Sequence, residues 1–511
     1  MRFGRTLAVA LSGVHGTLVD VEAHAGSGLP TLTVSGLADK ACAQAPDRIR
    51  SAVASAGASL PTARIVVNLS PASIPKHGAL YDLAIAVAVL TAAETIRTGL
   101  AERTVHLGEL GLDGSIRSVR GVLPAVLAAA RAGVRHVVVP PANVAEAMLV
   151  DGVVVHTASS LGDLIEMYAA LPPQGSLPAA ALPAAGDDPE RAGHGDLAEV
   201  VGQTEARLAL ELAASGGHHL LLSGPPGVGK TMLAERLVTV LPPLSRAEAL
   251  ESCAIRSLSG RTISSGLDLT PPFEAPHHTA STAAIVGGGS GAIIPGAISR
   301  AHGGVLFLDE AGEFRGSVLQ CLRQPLESGW VTVSRARESV TFPAGFLLVM
   351  ATNPCPCGRG WGKGGDCDCS SLELRRYQAR LRGPLMDRID IRVAVSPVTG
   401  RAVSEIGAES SATVAARVAM ARGAQAERWS HLGIHTNGRV PGHVLRRAPF
   451  RLPRKATSVL DRSLDNGAMS LRGYDRVLRL AWSVSDSFGL SSPAGEHVEI
   501  AMTMRLQQAA A

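Results

Sequence analysis

The sequence has few aromatic residues, few lysines and no long apolar run. Aromatic residues make up 3% of its 511 residues, so a core must be built mainly from Ala, Val, Leu and Ile. The longest clean apolar run, Leu83–Ala93, is shorter than the roughly 20 residues that a membrane helix needs. Arg2, Arg5 and His15 interrupt the opening MRFGRTLAVALSGVHG, which predicts no secretory signal. We therefore expect a cytoplasmic protein with no membrane partner.

The charge and cysteine content restrict the function only loosely. A net charge of +4 is compatible with nucleic-acid binding, but it is equally compatible with an ordinary soluble surface. Seven cysteines in a reducing compartment argue against a disulfide framework. Most basic residues are arginines, and the lysines are Lys40, Lys76, Lys230, Lys363 and Lys455. A lysine inside a glycine-rich loop is therefore conspicuous in this chain.

The length predicts two to four domains, and the patterns divide the chain into four stretches. Residues 1–170 alternate apolar strand patterns with Ala-rich helix patterns, which is typical of an α/β or α+β domain. Residues 171–195 are rich in Pro, Ala and Gly and are expected to form an exposed linker. Residues 196–395 contain nucleotide-binding motifs, and residues 396–511 are mostly helical in pattern. The expected fold class is α/β, with a parallel sheet in the nucleotide-binding part.

The run LLLSGPPGVGKTMLAERL predicts a strand, a phosphate-binding loop and a helix in that order. Glycines let the backbone turn its N–H groups toward one point, where the start of a helix adds its positive end. Lys230 is placed to reach the β and γ phosphates of a nucleotide, and the Thr231 hydroxyl can bind Mg²⁺. The predicted nucleotide-binding residues of the loop are Gly224, Pro225, Pro226, Gly227, Val228, Gly229, Lys230, Thr231 and Met232.

Two further strands end in polar residues that suit the same site. The run VLFLDE ends in Asp309, predicted to hold Mg²⁺, and Glu310, predicted to act as the general base. An acidic pair after a strand is weak evidence alone and strong beside a phosphate loop. Asn353 ends the run FLLVMATNP, where it would orient water and sense the γ-phosphate, although an Asn can also simply cap a turn. Together these motifs predict ATP binding and hydrolysis.

The motifs also resemble a known family in their order and density. The chain contains GAIIPGAISRAHGGVLFLDEAGEF, LRQPLESGWVTVSRA, ATNPCPCG, GPLMDRIDI and SLRGYDRVLRLAWSVSD in sequence. These runs resemble the ComM/YifB proteins, which are the Mg-chelatase-like branch of the AAA+ ATPases. The resemblance covers most of the chain and implies an AAA+ P-loop core followed by a C-terminal helical lid. It also implies a ring, usually of six subunits.

The resemblance assigns roles to several residues outside the loop. Arg388 resembles the arginine finger, which reaches the γ-phosphate on a neighbouring subunit, and Arg472 resembles the sensor-2 arginine of the lid. A surface ion pair is the alternative for either arginine. Val201, Gly202 and Gln203 resemble the segment beside the adenine base, with the backbones of the first two touching it.

Two insertions are expected in this branch of the AAA+ ATPases. One lies within Arg261–Gly291, which includes His277 and His278. The other is a hairpin, WVTVSRARESVTF, with Arg335 and Arg337 near its turn. Such loops face the pore and touch DNA in related ring helicases, and the alternation of residues suits a two-stranded ribbon. A solvent-exposed edge hairpin without DNA contact is the alternative.

Four cysteines form a cluster directly after Asn353. They follow the pattern C-x-C…C-x-C and are Cys355, Cys357, Cys367 and Cys369, within an insertion spanning 355–369. Four thiols joined by a Gly-rich loop could bind one tetrahedral Zn²⁺. The C-x-C spacing is less usual for zinc than C-x-x-C, and a reduced loop with exposed thiols is the alternative.

The N-terminal region resembles the proteolytic domain of Lon proteases, but it lacks their Ser–Lys dyad. Leu80 falls at the position of the serine nucleophile, and no lysine lies near Val122–Ala125, where the dyad lysine is expected. Without a nucleophile and a base, peptide hydrolysis has no mechanism. We therefore expect a non-proteolytic domain that helps to assemble a ring or to hold a partner.

Three function classes follow from these observations. The favoured class is a DNA-directed motor, because the resemblance implies branch migration during uptake or recombination of DNA. The second is a magnesium-chelatase-like subunit, against which the Lon-like domain and the cysteine insertion argue. The third is an ATP-dependent protein remodeller or protease partner, which the missing dyad disfavours. The sequence has no helix-turn-helix, so any DNA binding should be independent of base sequence and sensitive to salt.

Overall fold

The computed structural model of the chain describes most of its length. The described residues are 2–37, 39–97, 99–171, 176–181, 193–261, 263, 266–289, 292–335, 338–361, 367–381, 383, 385–398 and 408–506. Within these ranges, no helix combines the length and the apolar character needed to cross a bilayer.

The N-terminal part is a mixed seven-stranded sheet with helices packed on it. The sheet has the order β3-β4-β2-β1-β5-β8-β9, and a small hairpin of β6 and β7 stands apart from it. The strands are β1 Arg2–Ser12, β2 His15–Gly26, β3 Thr31–Ser35, β4 Arg64–Ser70, β5 Thr104–His106, β6 Glu109–Leu110, β7 Ile116–Arg117, β8 His136–Val139 and β9 Val154–Thr157. The helices are α1 Lys40–Ala43, α2 Ala45–Ser55, α3 Asp82–Ala92, α4 Val122–Arg131, α5 Val144–Ala147 and α6 Leu161–Ala169.

Helix α3 lies at the centre of this part because its sequence is apolar on nearly every side. All of its residues are buried, and it packs against β1 and β2. Its one charged residue, Asp82, is paired with Arg48 of α2, which compensates the buried carboxylate. Leu80, at the position expected for a nucleophile, is buried as well.

The described part of the predicted linker is not wholly exposed. Leu177 is only 2% exposed, and the Ala180 amide donates a hydrogen bond to the Val155 carbonyl, 2.8 Å away. The composition of residues 171–195 suggested exposure, but the apolar Leu177 joins the hydrophobic core of the N-terminal part. Residues 172–175 and 182–192 lie outside the described ranges.

The middle part contains a parallel five-stranded sheet with the order β11-β14-β17-β10-β18. Its strands and the flanking ribbons are β10 Leu220–Ser223, β11 Phe273–Glu274, β12 Gly287–Gly288, β13 Ile294–Pro295, β14 Val305–Leu308, β15 Trp330–Ser334, β16 Ser339–Pro343, β17 Leu347–Thr352 and β18 Ile391–Ala394. The helices are α7 Thr204–Gly216, α8 Lys230–Val240, α9 Arg246–Ser259, α10 Thr282–Val286, α11 Ala297–Arg300, α12 Gly316–Cys321, α13 Arg323–Ser328 and α14 Ser371–Leu381.

The C-terminal part is helical, as its pattern predicts. Its helices are α15 Ser411–Arg428, α16 Gly442–Leu445, α17 Arg454–Asp465, α18 Leu471–Ser487 and α19 Gly495–Leu506. Trp429, Phe450 and Trp482 pack together within it, and the same apolar cluster includes residues of α7 and α8. The helical part is therefore packed against the nucleotide-binding part through a shared core.

Candidate nucleotide-binding site

The phosphate loop follows β10 and leads into α8. A side chain at Gly224 would place its Cβ 2.2 Å from the Val395 carbonyl oxygen, so only glycine allows the loop to pass the end of β18. Gly229 precedes α8 with a φ of +89°, a left-handed conformation that other residues rarely adopt. The loop therefore leaves the sheet at its carboxyl edge and presents the amino end of α8 to the same edge.

Lys230 is held at the centre of this edge. Its ammonium donates hydrogen bonds to the carbonyls of Gly224 at 2.7 Å and Pro225 at 2.8 Å, and to Asn353 Oδ1 at 3.0 Å. The side chain is buried, and burial lowers the pKa of Lys230, while Asp309 and Glu310 oppose that shift. The lysine and Asn353, which the sequence assigned to one site, are thus in direct contact.

The acidic pair follows β14, the neighbour of β17 in the sheet. Thr231 Oγ1 donates a hydrogen bond to Asp309 Oδ2 at 2.9 Å, so the two predicted Mg²⁺ ligands are adjacent. Glu310 has a φ of +50°, and its amide bonds to the other Asp309 oxygen at 2.9 Å. The two neighbouring carboxylates therefore have different partners. Asp309 accepts a hydrogen bond from Thr231, and Glu310 contacts a residue of another segment.

That second partner is His278, whose contact with Glu310 was not predicted. His278 Nδ1 lies 3.2 Å from Glu310 Oε2, and both side chains are partly exposed. Strand β11 pairs with β14, so the segment after β11 emerges beside the acidic pair. The adjacent His277 instead bonds to the Thr279 hydroxyl at 2.8 Å. The sequence does place both histidines in the insertion, but only the strand pairing identifies which of them reaches Glu310.

Arg388 lies near the amino ends of the strands, whereas the phosphate loop lies at their carboxyl ends. It precedes β18, which runs parallel to β10 with Leu220 opposite Ile391 and Ser223 opposite Ala394. A strand rises about 3.3 Å per residue, so roughly 15 Å or more separates Arg388 from the level of the loop. Its guanidinium forms an ion pair with Glu327 of α13. Arg388 therefore does not reach the phosphate loop of its own chain.

The C-terminal helices hold the backbone around Arg388. Arg476 of α18 donates a hydrogen bond to the Arg388 carbonyl at 2.9 Å and forms an ion pair with Asp390. Burial alone would raise the pKa of Asp390, but Arg476 and His218 hold it below its usual range. Arg472 lies one helical turn before Arg476 and is exposed.

The predicted base-binding segment contacts the strand beside the phosphate loop. Gln203 Nε2 donates a hydrogen bond to the Ser396 carbonyl at 2.6 Å, just beyond β18. Val201 and Gly202 line a cavity of about 740 Å³ that extends to Phe488 at the end of α18. Among the described residues, none of the loop residues 224–232 lines this cavity, so it is not the phosphate pocket itself.

Each of the two segments predicted to be insertions contributes a strand to a short antiparallel ribbon. The β15–β16 hairpin buries Val331 and Val333, and Arg335 stands at its turn. Its turn touches the N-terminal part, where His77 Nε2 lies 3.2 Å from Glu338 Oε2. Arg337 lies outside the described residues. The segment Arg261–Gly291 contains α10 and β12, and β12 pairs with β13 just beyond it.

The four cysteines of the cluster converge on one point. Their sulfur atoms all lie within 4.8 Å of one another, as expected for a metal site. The Sγ atom of Cys357 lies 3.3 Å from Cys355 Sγ and 3.7 Å from Cys367 Sγ. The cluster stands directly beyond Asn353, next to the nucleotide site.

Comparison with known proteins assigns the chain to a family. Three family models match: "Magnesium chelatase, subunit ChlI" over 196–403, "Subunit ChlI of Mg-chelatase" over 21–143, and "Magnesium chelatase, subunit ChlI C-terminal" over 408–505. An uncharacterised protein of Mycobacterium tuberculosis is 48% identical over 509 residues, which is 99% of each chain.

Two relatives bear on the resemblance seen in the sequence. The competence protein ComM of Haemophilus influenzae is 37% identical over 97% of this chain and 96% of its own length. The 38 kDa magnesium-chelatase subunit of Rhodobacter capsulatus is 28% identical, over 30% of this chain and 49% of its own. With its P-loop, its parallel sheet and these full-length matches, the chain belongs to the ComM/YifB family of Mg-chelatase-like AAA+ proteins, and this membership implies ATPase activity with Mg²⁺.

Proposed function

We propose that the protein is a ring-forming ATPase that translocates on DNA or remodels it, with branch migration in DNA uptake or recombination as its use. The observation that carries the ATPase part is the contact of Lys230 with Asn353 and of Thr231 with Asp309. These contacts bring polar groups from three strand ends to one edge of the sheet.

Each of these groups has a part in phosphoryl transfer. Lys230 and the loop amides bind the β and γ phosphates of ATP, which lowers the cost of charge that develops there. Mg²⁺, held by Thr231 and Asp309, would neutralise phosphate charge. Glu310 accepts the proton of the attacking water, and Asn353 orients that water. Val201, Gly202 and Gln203 are the proposed contacts of the adenine base.

Completion of the site requires a second subunit. Arg388 and Arg472 are the proposed finger and sensor, and Arg388 lies too far from the loop of its own chain to serve it. A neighbouring subunit in a closed ring would bring Arg388 to the nucleotide, in keeping with the oligomeric character of AAA+ proteins. We propose a hexamer, in which the Arg388–Glu327 ion pair of the single chain is exchanged for contact with phosphate.

The DNA part of the proposal rests on the full-length match to a competence protein and on the hairpin. Arg335, at the turn of β15–β16, and Arg337 are the proposed contacts with the DNA backbone. The chelatase alternative is less well supported, since the chelatase subunit of Rhodobacter capsulatus matches only 30% of this chain. The proposed helicase activity would act on single-stranded or branched DNA regardless of sequence.

A Zn²⁺ ion at the four cysteines completes the proposal. Four ligands at the usual Zn–S distance of about 2.3 Å place tetrahedral sulfurs about 3.8 Å apart. The sulfur separations of 3.3 Å and 3.7 Å within the cluster are close to that value. If metal analysis finds no zinc in the purified chain, the zinc part of the proposal is rejected and the ATPase and DNA parts are not affected.

One experiment tests the motor. ATP hydrolysis is measured without DNA, with single-stranded DNA and with forked DNA, and the movement of a synthetic four-way junction is followed in parallel. We expect DNA to stimulate hydrolysis and the junction to resolve only with hydrolysable ATP. Lys230→Ala is the control that should abolish both. Hydrolysis that is indifferent to DNA, together with no DNA binding at low salt, would exclude the motor.

A further inference from the structure

The cysteine cluster stands between two elements of the nucleotide site. Cys355 lies two residues after Asn353, just beyond β17, while Cys369 precedes α14. Cys355 is 1% exposed, so one ligand of the cluster is buried in the body of the protein. The cluster therefore closes a loop whose two ends belong to the nucleotide-binding part.

The geometry within the loop suits thiolate ligands. The Gly360 amide donates a hydrogen bond to Cys355 Sγ at 3.1 Å, an outer contact typical of metal-bound cysteine. A Cβ at Gly360 would lie 3.0 Å from that sulfur, so glycine allows the close approach. Arg359 and Asp368 form an ion pair at 3.0 Å between the two C-x-C halves. These contacts bring the halves together around one centre.

The turn between the first two cysteines and Gly360 rests on the phosphate loop. A Cβ added to Gly358 would lie 2.7 Å from Pro226 Cγ, so this turn packs against the loop in van der Waals contact. Gly358 has a φ of +76°, and its amide bonds to the Cys355 carbonyl at 3.0 Å. The turn is thus hydrogen-bonded to Cys355 at one end and in contact with Pro226 at the other.

The second C-x-C half leads into α14, which packs behind the catalytic strands. The Tyr377 hydroxyl lies 3.1 Å from Thr352 Oγ1, next to Asn353. Arg380 donates a hydrogen bond to the Gly312 carbonyl at 2.9 Å, in the turn that follows Glu310. Gly312 itself lies against the Tyr377 ring. Helix α14 therefore touches both the sensor strand and the acidic pair's turn.

We propose that the cysteine cluster is a structural metal site that fixes the phosphate loop and Asn353 in their nucleotide-binding positions. The inference rests on the proposed ATP site and on zinc as the metal. Zinc joins the ends of the 355–369 loop, and through Gly358 and α14 it supports Pro226 and Thr352. Loss of the metal then weakens ATP binding, although no cysteine touches the nucleotide.

The test compares wild-type protein with Cys357→Ser, which removes one ligand, and with Cys321→Ser, which removes a cysteine far from the cluster in sequence. Zinc per chain is measured by mass spectrometry, folding by circular dichroism, and ATP affinity by titration of a fluorescent analogue with Mg²⁺ and without DNA. We expect one zinc per chain in wild type and in Cys321→Ser. Cys357→Ser should lose zinc, keep its helical signal and bind ATP about tenfold more weakly.

A second variant keeps all four thiols in case Cys357→Ser does not fold. Gly358→Ala leaves every zinc ligand in place but sets a methyl group against Pro226 from a left-handed backbone, so it should bind ATP more weakly, with its zinc content measured alongside. Wild-type ATP affinity in either variant would overturn the supporting role. Wild-type protein with two disulfides and no zinc, detected by its intact mass, would overturn the metal site. None of these measurements involves DNA or ATP hydrolysis, so failure of the motor proposal would leave their results unaffected.

Discussion

Glu310 is the residue on which the proposed chemistry depends most directly. Its backbone is left-handed, its carboxylate contacts His278, and its charge acts to raise the pKa of Lys230 in the phosphate loop. Glu310→Gln keeps the shape but cannot accept a proton, so we expect ATP binding to be retained and turnover to fall at least a hundredfold. Single-turnover hydrolysis and equilibrium ATP titration measure the two quantities. Turnover near the wild-type rate would show that Glu310 is not the base.

His278 gives a second prediction at this scale, with a matched control beside it. Because His278 Nδ1 contacts Glu310, its removal frees the carboxylate to leave its working orientation. We expect His278→Ala to lower kcat about tenfold with little change in ATP affinity. His277→Ala, which removes a residue bonded to Thr279 instead, should leave kcat near wild type. Equal effects of the two variants would contradict a specific role for His278.

A buried histidine in the N-terminal part predicts a pH dependence of stability. His106 is 0% exposed between Thr6 and Tyr168, and burial lowers its pKa to about 3. The unfolded chain binds a proton below about pH 6.5, which the folded chain does not accept until about pH 3. The free energy of unfolding is therefore unaffected by this group above about pH 6.5. As the pH drops from about 6.5 to about 3, it falls by roughly 1.4 kcal/mol per pH unit.

Urea unfolding at several pH values between 7 and 5 measures this slope. His106→Gln should reduce the slope, whereas His24→Gln, at an exposed position, should leave it unchanged. An identical slope in wild type and His106→Gln would contradict the prediction.

The residues of the site differ in how far the sequence predicts them. Lys230, Thr231 and Asp309 could be predicted because a strand followed at once by a loop fixes where each side chain emerges. The contact of His278 with Glu310 could not, since it depends on β11 lying beside β14. The ion pair of Arg388 with Glu327 was equally hidden, because it joins two elements with no local pattern in common.

At the scale of elements, the β15–β16 hairpin carries the proposed contact with DNA. Its inner face buries valines, and the half-buried Arg335 follows β15 at its turn. We expect Arg335→Ala to weaken DNA binding uniformly across sequences and to reduce the salt slope of log K by about one. Arg64→Ala, at an exposed position on β4, is the control. Fluorescence anisotropy across a salt series decides the matter, and an unchanged slope in Arg335→Ala would contradict contact with phosphate.

The elements themselves were largely predictable, and their mutual packing was not. The apolar runs LLLS, VLFL and FLLVM located β10, β14 and β17 to within about two residues, because buried parallel strands are apolar on both faces. Composition could not reveal that Leu177 would join the hydrophobic core of the N-terminal part. Likewise, nothing in the hairpin sequence indicated that its turn would meet His77, since that contact joins distant parts of the chain.

At the scale of the whole molecule, the separation of Arg388 from its own phosphate loop predicts complementation between subunits. Arg388→Ala and Glu310→Gln should each be inactive alone. In a mixed ring, an Arg388→Ala subunit supplies Glu310, and a neighbouring Glu310→Gln subunit supplies Arg388. At equal mixing this arrangement occurs by chance at roughly a quarter of the interfaces. We expect ATP hydrolysis to return on mixing and to follow the ratio of the two variants. A mixture as inactive as its components would argue against a shared site.

Arg476 joins this shared site to the C-terminal helices. Because it holds both the Arg388 carbonyl and the Asp390 carboxylate, it ties the segment that contains the proposed finger to α18. In the proposed ring, a change in the angle of the helical part of one subunit would therefore displace the Arg388 that it offers to the next subunit. The subunits of such a ring would then hydrolyse ATP in sequence, because the conformation of each subunit would control hydrolysis at its neighbour.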